Sequence, residues 1–196
     1  MTTTWVSSAL AFAAAVLLAA CSPDGPKFRS TDITGADFGK ELALIGHDGK
    51  PRTLADFRGK LVVLSFGFTH CPDICPTTLA DIAAVIKQLG SNAARVQVLF
   101  VTLDPERDTP DVLRNYAPAF DPGFLGLYGD AAATQRAAKE FKIFYEKRPA
   151  GTPGAYTVDH SAQSYVLDAQ GRLRLFVRQD RIAQDLAPDL RVLLNN

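Results

Sequence analysis

The residues with the most distinctive chemistry are two cysteines, Cys71 and Cys75, which are separated by three residues. Two thiols at this spacing can form a structural disulfide, exchange disulfides with another protein, or bind a soft metal ion. Pro76 fits the first position of a helix, because its φ angle is already helical and it has no N–H to leave unpaired. Cys75 is therefore predicted at the helix N-cap, where unpaired N–H groups and the helix dipole favour a thiolate.

His160 is the candidate third member of this group, although 85 residues separate it from Cys75. The cysteines follow Leu61–Phe66, a continuous apolar run that is typical of a strand buried on both faces of a parallel sheet. His160 precedes a second strand, predicted over Gln163–Leu167. If that strand runs antiparallel to the first, its start lies at the sheet edge where such sheets bind ligands. The topology then brings the imidazole to the two thiols.

Two thiolates and one imidazole form a soft ligand set of low coordination number. Such a set suits copper, particularly Cu(I), whereas zinc more often has a fourth ligand. Two alternatives stay open: His160 is a loop histidine bonded to a nearby backbone carbonyl, or His70, beside Cys71, takes the ligand role. Asp159 either orients His160 from the outer shell or is a solvated loop carboxylate.

The elements that must position these residues follow from the apolar patterns, which alternate between strand and helix periodicity. They predict an α/β domain with a mixed sheet flanked by helices. Thr53–Gly59 is predicted to be one capped helical turn, and Lys147–Tyr156 a loop rich in proline and glycine. The predicted strands are Glu41–Ile45, Leu61–Phe66, Val96–Leu103, Phe124–Leu127, Gln163–Leu167 and Arg172–Val177. The predicted helices are Thr77–Leu89, Asp111–Phe120, Ala131–Phe141 and Asp180–Leu194, the last with a kink at Pro188.

The N-terminal residues 1–20 carry no charged side chain, and their apolar run is shorter than the about 20 residues that span a bilayer. This pattern predicts a signal peptide, and Leu18–Cys21 resembles the lipobox of bacterial lipoproteins, in which Cys21 becomes the lipidated N-terminal residue. Met1–Ser8 lacks the usual lysine or arginine, so a plain signal peptide and a short membrane anchor stay open. Lipidation of Cys21 would leave one pair of cysteines in an oxidising compartment.

This interpretation divides the chain into a signal peptide over residues 1–20, a tether and N-terminal extension over 21–37, and a domain over 38–196. The composition is that of an ordinary globular protein, with 47% apolar residues. Lysine plus arginine and aspartate plus glutamate each number 21, and no basic block is present. A nucleic-acid partner is therefore not expected, because it would require clustered positive charge.

Three ordered segments, Phe68–Pro76, Thr102–Pro110 and Val158–His160, together resemble the SCO/SenC family over roughly residues 38–194. The resemblance implies a thioredoxin-like fold and a role in assembling the copper centre of cytochrome c oxidase. It also implies that copper is bound by Cys71, Cys75 and His160, and that the two thiols can oxidise to a Cys71–Cys75 disulfide.

The second of these segments contains two carboxylates, Asp104 and Asp108, for which two interpretations are open. They pair locally with Arg107 and cap the next helix, or they shape the rim of the site.

The leading functional expectation is a membrane-tethered copper chaperone that faces the periplasm and is not an enzyme. Its expected partners are an apo cytochrome c oxidase copper-site subunit, a second periplasmic copper chaperone, a thioredoxin-like reductase and a membrane, reached through the lipid anchor. The alternative is a thiol-disulfide oxidoreductase that reduces the cysteine ligands of the oxidase, although such catalysts use two intervening residues instead of three. A peroxidase of the peroxiredoxin type is weaker, because a second cysteine so near the first fits metal or disulfide chemistry better.

Overall fold

The computed structural model describes residues 25–195, which form a mixed sheet of eight strands with helices on both faces. The strand order is β1-β10-β9-β4-β5-β6-β2-β3, and β4, β5 and β6 are parallel, whereas the other pairs are antiparallel. These strands are β1 (Thr31–Asp32), β2 (Ala43–Gly46), β3 (Pro51–Thr53), β4 (Leu61–Gly67), β5 (Val96–Thr102), β6 (Leu125–Tyr128), β9 (Ser164–Leu167) and β10 (Leu173–Val177). The mixed α/β fold expected from the sequence is confirmed.

The α-helices are α1 (Ile74–Gln88), α2 (Pro110–Tyr116), α3 (Ala131–Glu140) and α4 (Ala187–Leu194). A short 3₁₀ helix, Leu54–Phe57, confirms the predicted capped turn, since the Asp56 carboxylate accepts bonds from the Thr53 N–H at 2.6 Å and its hydroxyl at 2.9 Å. The C-terminal helix is less regular than predicted. A 3₁₀ turn and a π-helical turn, Ile182–Leu186, precede α4, and Pro188 lies in the first turn of α4.

Strand β4 lies at the centre of the sheet and divides the core into two layers. All seven of its residues are buried. Leu61 and Val63 pack on one face against α1 and α4, whereas Val62 and Leu64 pack on the other face in the layer that contains α3. This alternation explains why β4 is apolar apart from Ser65, whose hydroxyl lies 3.1 Å from that of Ser164: each face meets its own hydrophobic core.

A separate two-stranded ribbon carries the candidate histidine, His160, at the end of its second strand. Its strands are β7 (Tyr145–Pro149) and β8 (Tyr156–His160). The prediction of a loop over Lys147–Tyr156 was therefore wrong at both ends, and only residues 150–155 form the connection. Gly151 and Gly154 take positive φ angles of 64° and 85° there, which glycine adopts without strain. The polar sequence of β7 gave no strand signal because four of its five residues are exposed.

Part of the N-terminal extension is ordered, because β1 joins the edge of the main sheet against β10. The N–H groups of Arg29 and Ser30 also donate to the buried carboxylate of Asp189, at 2.8 and 2.9 Å. Cys21 and the proposed signal peptide lie outside the described residues. None of the helices in residues 25–195 combines the length and apolar character that a membrane span requires.

Candidate metal centre

The cysteine loop leaves the carboxyl end of β4 and enters α1. A turn closes at Cys71, whose N–H donates to the carbonyl of Phe68 at 3.3 Å. Helix α1 begins at Ile74 with Asp73 as N-cap, so Cys75 is the second residue of the helix and Pro76 the third. The prediction that Cys75 is the N-cap was wrong, because proline is tolerated anywhere in the first turn, where N–H groups have no partner in the helix.

The two thiols have different environments. Cys75 is 3% exposed, and burial raises the pKa of its thiol, which is the opposite of the expected thiolate stabilisation. Cys71 is half-buried, and its Sγ accepts the N–H of Cys75 at 3.3 Å. The first turn of α1 therefore donates a backbone hydrogen bond to Cys71, and Cys75 points inward.

His160 ends β8 and points its Nε2 toward the buried thiol, 3.3 Å from Cys75 Sγ. Its other nitrogen, Nδ1, lies 2.8 Å from the carbonyl oxygen of Ser161. Because a carbonyl only accepts, Nδ1 carries the proton and Nε2 has a free lone pair in the neutral ring. Burial lowers the pKa of His160 and so favours the neutral form.

The structure thus brings together the three residues expected from the sequence. Cys71 Sγ, Cys75 Sγ and one ring nitrogen of His160 all lie within 4.8 Å of one another. Within residues 25–195 this is the one group of three or more cysteine, histidine and acidic side chains that can hold a metal ion. Both cysteines are free thiols, so the Cys71–Cys75 disulfide stays a prediction.

The antiparallel pairing of β9 with β4 produces this convergence. Ser65 in β4 pairs with Ser164 in β9, so β9 begins beside the end of β4. His160 is four residues before that point. The topological prediction that placed the start of this strand at the edge of the cysteine loop is confirmed.

Two other sequence candidates lie outside the group. His70 is half-exposed, and its Nδ1 lies 3.2 Å from the Thr69 hydroxyl and 3.7 Å from Asp108. It is not part of the group formed by Cys71, Cys75 and His160. The Asp159 carboxylate faces Arg148 at 3.3 Å, and the bond to the His160 ring comes instead from Ser161. Asp159 therefore makes no direct contact with the His160 ring, because adjacent residues of a strand point to opposite faces, and an outer-shell role for it stays a prediction.

Asp104 and Asp108 are buried, and neither side chain caps the next helix, so the interpretation that they shape the rim of the site stays a prediction. Both side chains are 0% exposed, and Thr109 caps α2 by accepting the N–H of Val112 at 3.3 Å. The expected local pair with Arg107 is present for Asp104. Asp108 instead bonds to Thr69 in the cysteine loop, at 3.0 Å from its N–H and 2.6 Å from its hydroxyl.

Gly67 is a site residue that the sequence reasoning missed. A Cβ atom built on Gly67 would lie 2.7 Å from Cys75 Sγ and 2.9 Å from the Phe100 ring. The sulfur therefore occupies the space that any larger residue would fill. A glycine at the end of a buried strand was the available signal, since glycine in a strand often marks close approach of another group.

Together, the fold and the ligand group define a thioredoxin-like α/β protein with a candidate soft-metal centre. The SCO1/SenC family model matches residues 30–195, and the chain therefore belongs to this family. A curated relative, "Protein SCO2 homolog, mitochondrial" from Bos taurus, is 38% identical over 153 residues, which cover 77% of this chain and 58% of that protein. The chain thus spans about three fifths of the length of this relative.

Two solved structures share both sequence and fold. The structure of Bradyrhizobium japonicum ScoI with copper bound is 36% identical, with a TM-score of 0.73, and covers 80% of this chain and 99% of that chain. The solution structure of apo Sco1 from Thermus thermophilus is 39% identical, with a TM-score of 0.75, and covers 89% of this chain and all of that chain (100%).

Proposed function

We propose that this protein is a copper chaperone that binds one copper ion through Cys71, Cys75 and His160. The observation that carries the proposal is the convergence of the three ligand atoms within 4.8 Å. Membership of the SCO1/SenC family and the copper-bound structure of Bradyrhizobium japonicum ScoI support it. The soft set of three donors favours copper over zinc, which more often has four ligands.

Before the ion binds, a hydrogen bond connects two of the ligands, Cys75 and His160. The raised pKa keeps Cys75 as a thiol, which can donate its S–H to the lone pair of His160 Nε2 at 3.3 Å. An ion that displaces this proton finds two of its ligands already facing each other. Binding therefore releases a proton and requires little movement of the buried donors.

The ion would be exchanged on the side of Cys71. Cys75 is buried and His160 is packed against Phe68, with ring centroids 5.9 Å apart. Cys71 is more accessible than Cys75. A soft ligand of a partner protein can therefore approach the ion beside Cys71 and displace that thiolate first, which passes the ion through a shared-ligand intermediate.

The destination we propose is the copper centre of cytochrome c oxidase, on the basis of the family resemblance. The receiving partner is then the apo copper-site subunit of the oxidase. A second periplasmic copper chaperone supplies the ion, and a thioredoxin-like reductase keeps the two cysteines reduced. Cells that carry His160→Ala as their sole copy should assemble oxidase with less copper, measured by metal analysis of the purified oxidase.

We further propose that the chain is attached to a membrane of the cell envelope through a lipid on Cys21 and faces the periplasm. The apolar run before Cys21 and its lipobox-like sequence support this placement. Metabolic labelling with a radioactive fatty acid should mark the wild-type protein and leave Cys21→Ser unlabelled. Labelling of both proteins would contradict lipidation at Cys21.

The test of the copper site is the copper stoichiometry and absorption spectrum of the reduced domain, compared among wild type, His160→Ala and Cys75→Ser. We expect one copper per wild-type chain and a thiolate-to-copper absorption band in the Cu(II) form. Both variants should lose or shift that band. A wild-type protein that binds no copper would overturn the proposal.

The second candidate function is thiol-disulfide exchange, and the position of Cys71 favours it. The half-buried Cys71 Sγ is the more accessible of the two sulfurs, and it accepts an N–H from the first turn of α1. In the exchange reaction its thiolate would attack a target disulfide and release one target thiolate. Cys75 would then resolve the mixed disulfide, leaving an oxidised Cys71–Cys75 pair and a reduced target. Dithiol exchange that persists in His160→Ala while copper binding is weakened would show that the two activities are separable.

A further inference from the structure

The segment between β5 and α2 contacts both halves of the metal centre. Its first contact is with the cysteine half. The buried Asp108 carboxylate accepts the N–H and hydroxyl of Thr69, and the Thr102 hydroxyl at 2.5 Å. Thr69 is two residues before Cys71, so Asp108 fixes the start of the loop that carries the thiols.

The second contact is with the histidine half. The buried Asp104 carboxylate accepts the hydroxyl of Tyr156 at 2.8 Å. Arg107 donates to Asp104, and also to the backbone carbonyl of Tyr156 at 2.9 Å. Its guanidinium carbon lies 3.7 Å from the centroid of the Tyr156 ring. Tyr156 is the first residue of β8, the strand that ends at His160.

The two contacts are joined by hydrogen bonds within one turn. The Thr102 hydroxyl donates to Asp108 and accepts the N–H of Asp104 at 2.9 Å, and the N–H of Asp108 donates to the Asp104 carbonyl at 2.9 Å. A buried carboxylate is costly unless its hydrogen bonds are satisfied. Here Thr69 and Tyr156 supply donors from the two halves of the metal centre. Thr102 and Arg107 supply the others from the segment itself.

We propose that Asp104, Arg107 and Asp108 form a clamp that sets the distance between the thiols and the imidazole. The clamp rests on the proposed function in that it positions the copper ligands without touching the ion. Its two arms act on different ligands. The Asp108–Thr69 arm positions both cysteines, whereas the Asp104–Tyr156 arm positions His160.

The hydrogen bonds of the two arms can be removed separately by substitution. Tyr156→Phe removes one hydroxyl and leaves the aromatic ring beside Arg107. Thr69→Val removes the hydroxyl that donates to Asp108 and keeps the shape of the side chain. Tyr145→Phe is the matched control, because Tyr145 pairs with His160 across the ribbon and no described residue bonds to its hydroxyl.

The first measurement is Cu(I) affinity by competition with a chelator, together with the dithiol-disulfide potential of the copper-free protein. Tyr156→Phe should weaken Cu(I) binding roughly 10-fold, as loss of an outer-shell partner does, and leave the potential unchanged. Its effect should vanish in a His160→Ala background. Thr69→Val should change both quantities, and Tyr145→Phe neither. A shift of the potential by Tyr156→Phe, or an equal loss of affinity in the His160→Ala background, would overturn the two-arm assignment.

A second measurement needs no copper and therefore separates failure of the clamp from failure of the proposed function. Amide hydrogen exchange at Val158 and His160 in the copper-free protein should accelerate in Tyr156→Phe and stay unchanged in Tyr145→Phe. If wild type bound no copper, the proposed function would fail and this comparison would still decide the clamp. Unchanged exchange in Tyr156→Phe would refute it.

Discussion

The two halves of the metal centre are built in opposite ways. Cys71 lies in the loop that leaves β4, where all seven residues are buried, and Cys75 lies in the first turn of α1, which packs on the main sheet. His160 lies at the end of a ribbon whose strands pair only with each other. Val158 is the one residue of the two ribbon strands that is fully buried. The core therefore fixes the thiols, whereas a small attachment fixes the imidazole.

This difference suggests how a tightly held ion can be released. Segments with few buried apolar contacts open at lower free energy than core elements. Opening of the ribbon would remove one ligand and leave the two thiols and the sheet unchanged. In the transfer proposed above, such opening would follow displacement of the Cys71 thiolate by a partner ligand, and it would complete the release of the ion without unfolding of the domain.

The largest expected effect is on the free energy of unfolding, and it comes from shortening one buried valine to alanine in each half. Val63→Ala in β4 should lower the free energy of unfolding by about 2–3 kcal/mol, because Val63 is 0% exposed in the core. Val158→Ala should lower it by about 1 kcal/mol, since the ribbon can open before the core unfolds. Denaturant unfolding gives both values, and amide exchange should show local acceleration in β8 for Val158→Ala alone. Equal losses with uniform exchange would mean that ribbon and core unfold together.

A smaller effect on stability, but a specific effect on the metal, is expected from Gly67→Ala. The new methyl group would lie 2.7 Å from Cys75 Sγ, so the sulfur must move. Overpacking of this kind costs about 1–2 kcal/mol. The thiolate-to-copper absorption band should shift as well, which absorption spectroscopy of the copper-loaded protein measures.

Gly126→Ala is the control for crowding in the sheet. Its methyl group would lie 3.1 Å from the Leu113 Cβ, and none of its nearest contacts belongs to a metal ligand. It should lower stability without shifting the copper band. If the copper band shifted in both variants, or in neither, the need for glycine at position 67 would have a cause other than contact with the sulfur.

The sequence predicted the cysteine half better than the histidine half, and the reason is burial. Residues of β4 are apolar on both faces, so their strand and its parallel neighbour were recognisable. The ribbon has almost no core, and Glu146, Lys147 and Arg148 gave no apolar pattern over β7. Its partner β8 does alternate, with Val158 buried and Asp159 exposed, but the stretch is short.

The clamp could not be predicted from the sequence, for a different reason. Aspartate in a loop is usually exposed, and only tertiary structure shows that Asp104 and Asp108 are buried. Their partners, Tyr156 and Thr69, are 52 and 39 residues away along the chain. Neither spacing nor composition specifies such pairs. The resemblance marked the segment as distinctive, and the contacts supply the physical explanation.

The smallest expected effect concerns Asp159, which adjoins His160 in sequence but faces Arg148. The carboxylate and the guanidinium are both more than half exposed, at 56% and 53%, so their pairing contributes little to stability. Asp159→Asn should therefore weaken Cu(I) binding by less than the roughly 10-fold loss that marks an outer-shell partner. Chelator competition measures this.

The matched control is Glu146→Gln, which removes the other carboxylate bound to Arg148, at 2.9 Å. If both carboxylates act only on Arg148, the two variants should bind Cu(I) equally well. A 10-fold loss in Asp159→Asn alone would show that its negative charge acts on the imidazole through space. The histidine half would then depend on its neighbour in the strand as well as on the carbonyl of Ser161, and the ribbon would be less independent than its contacts indicate.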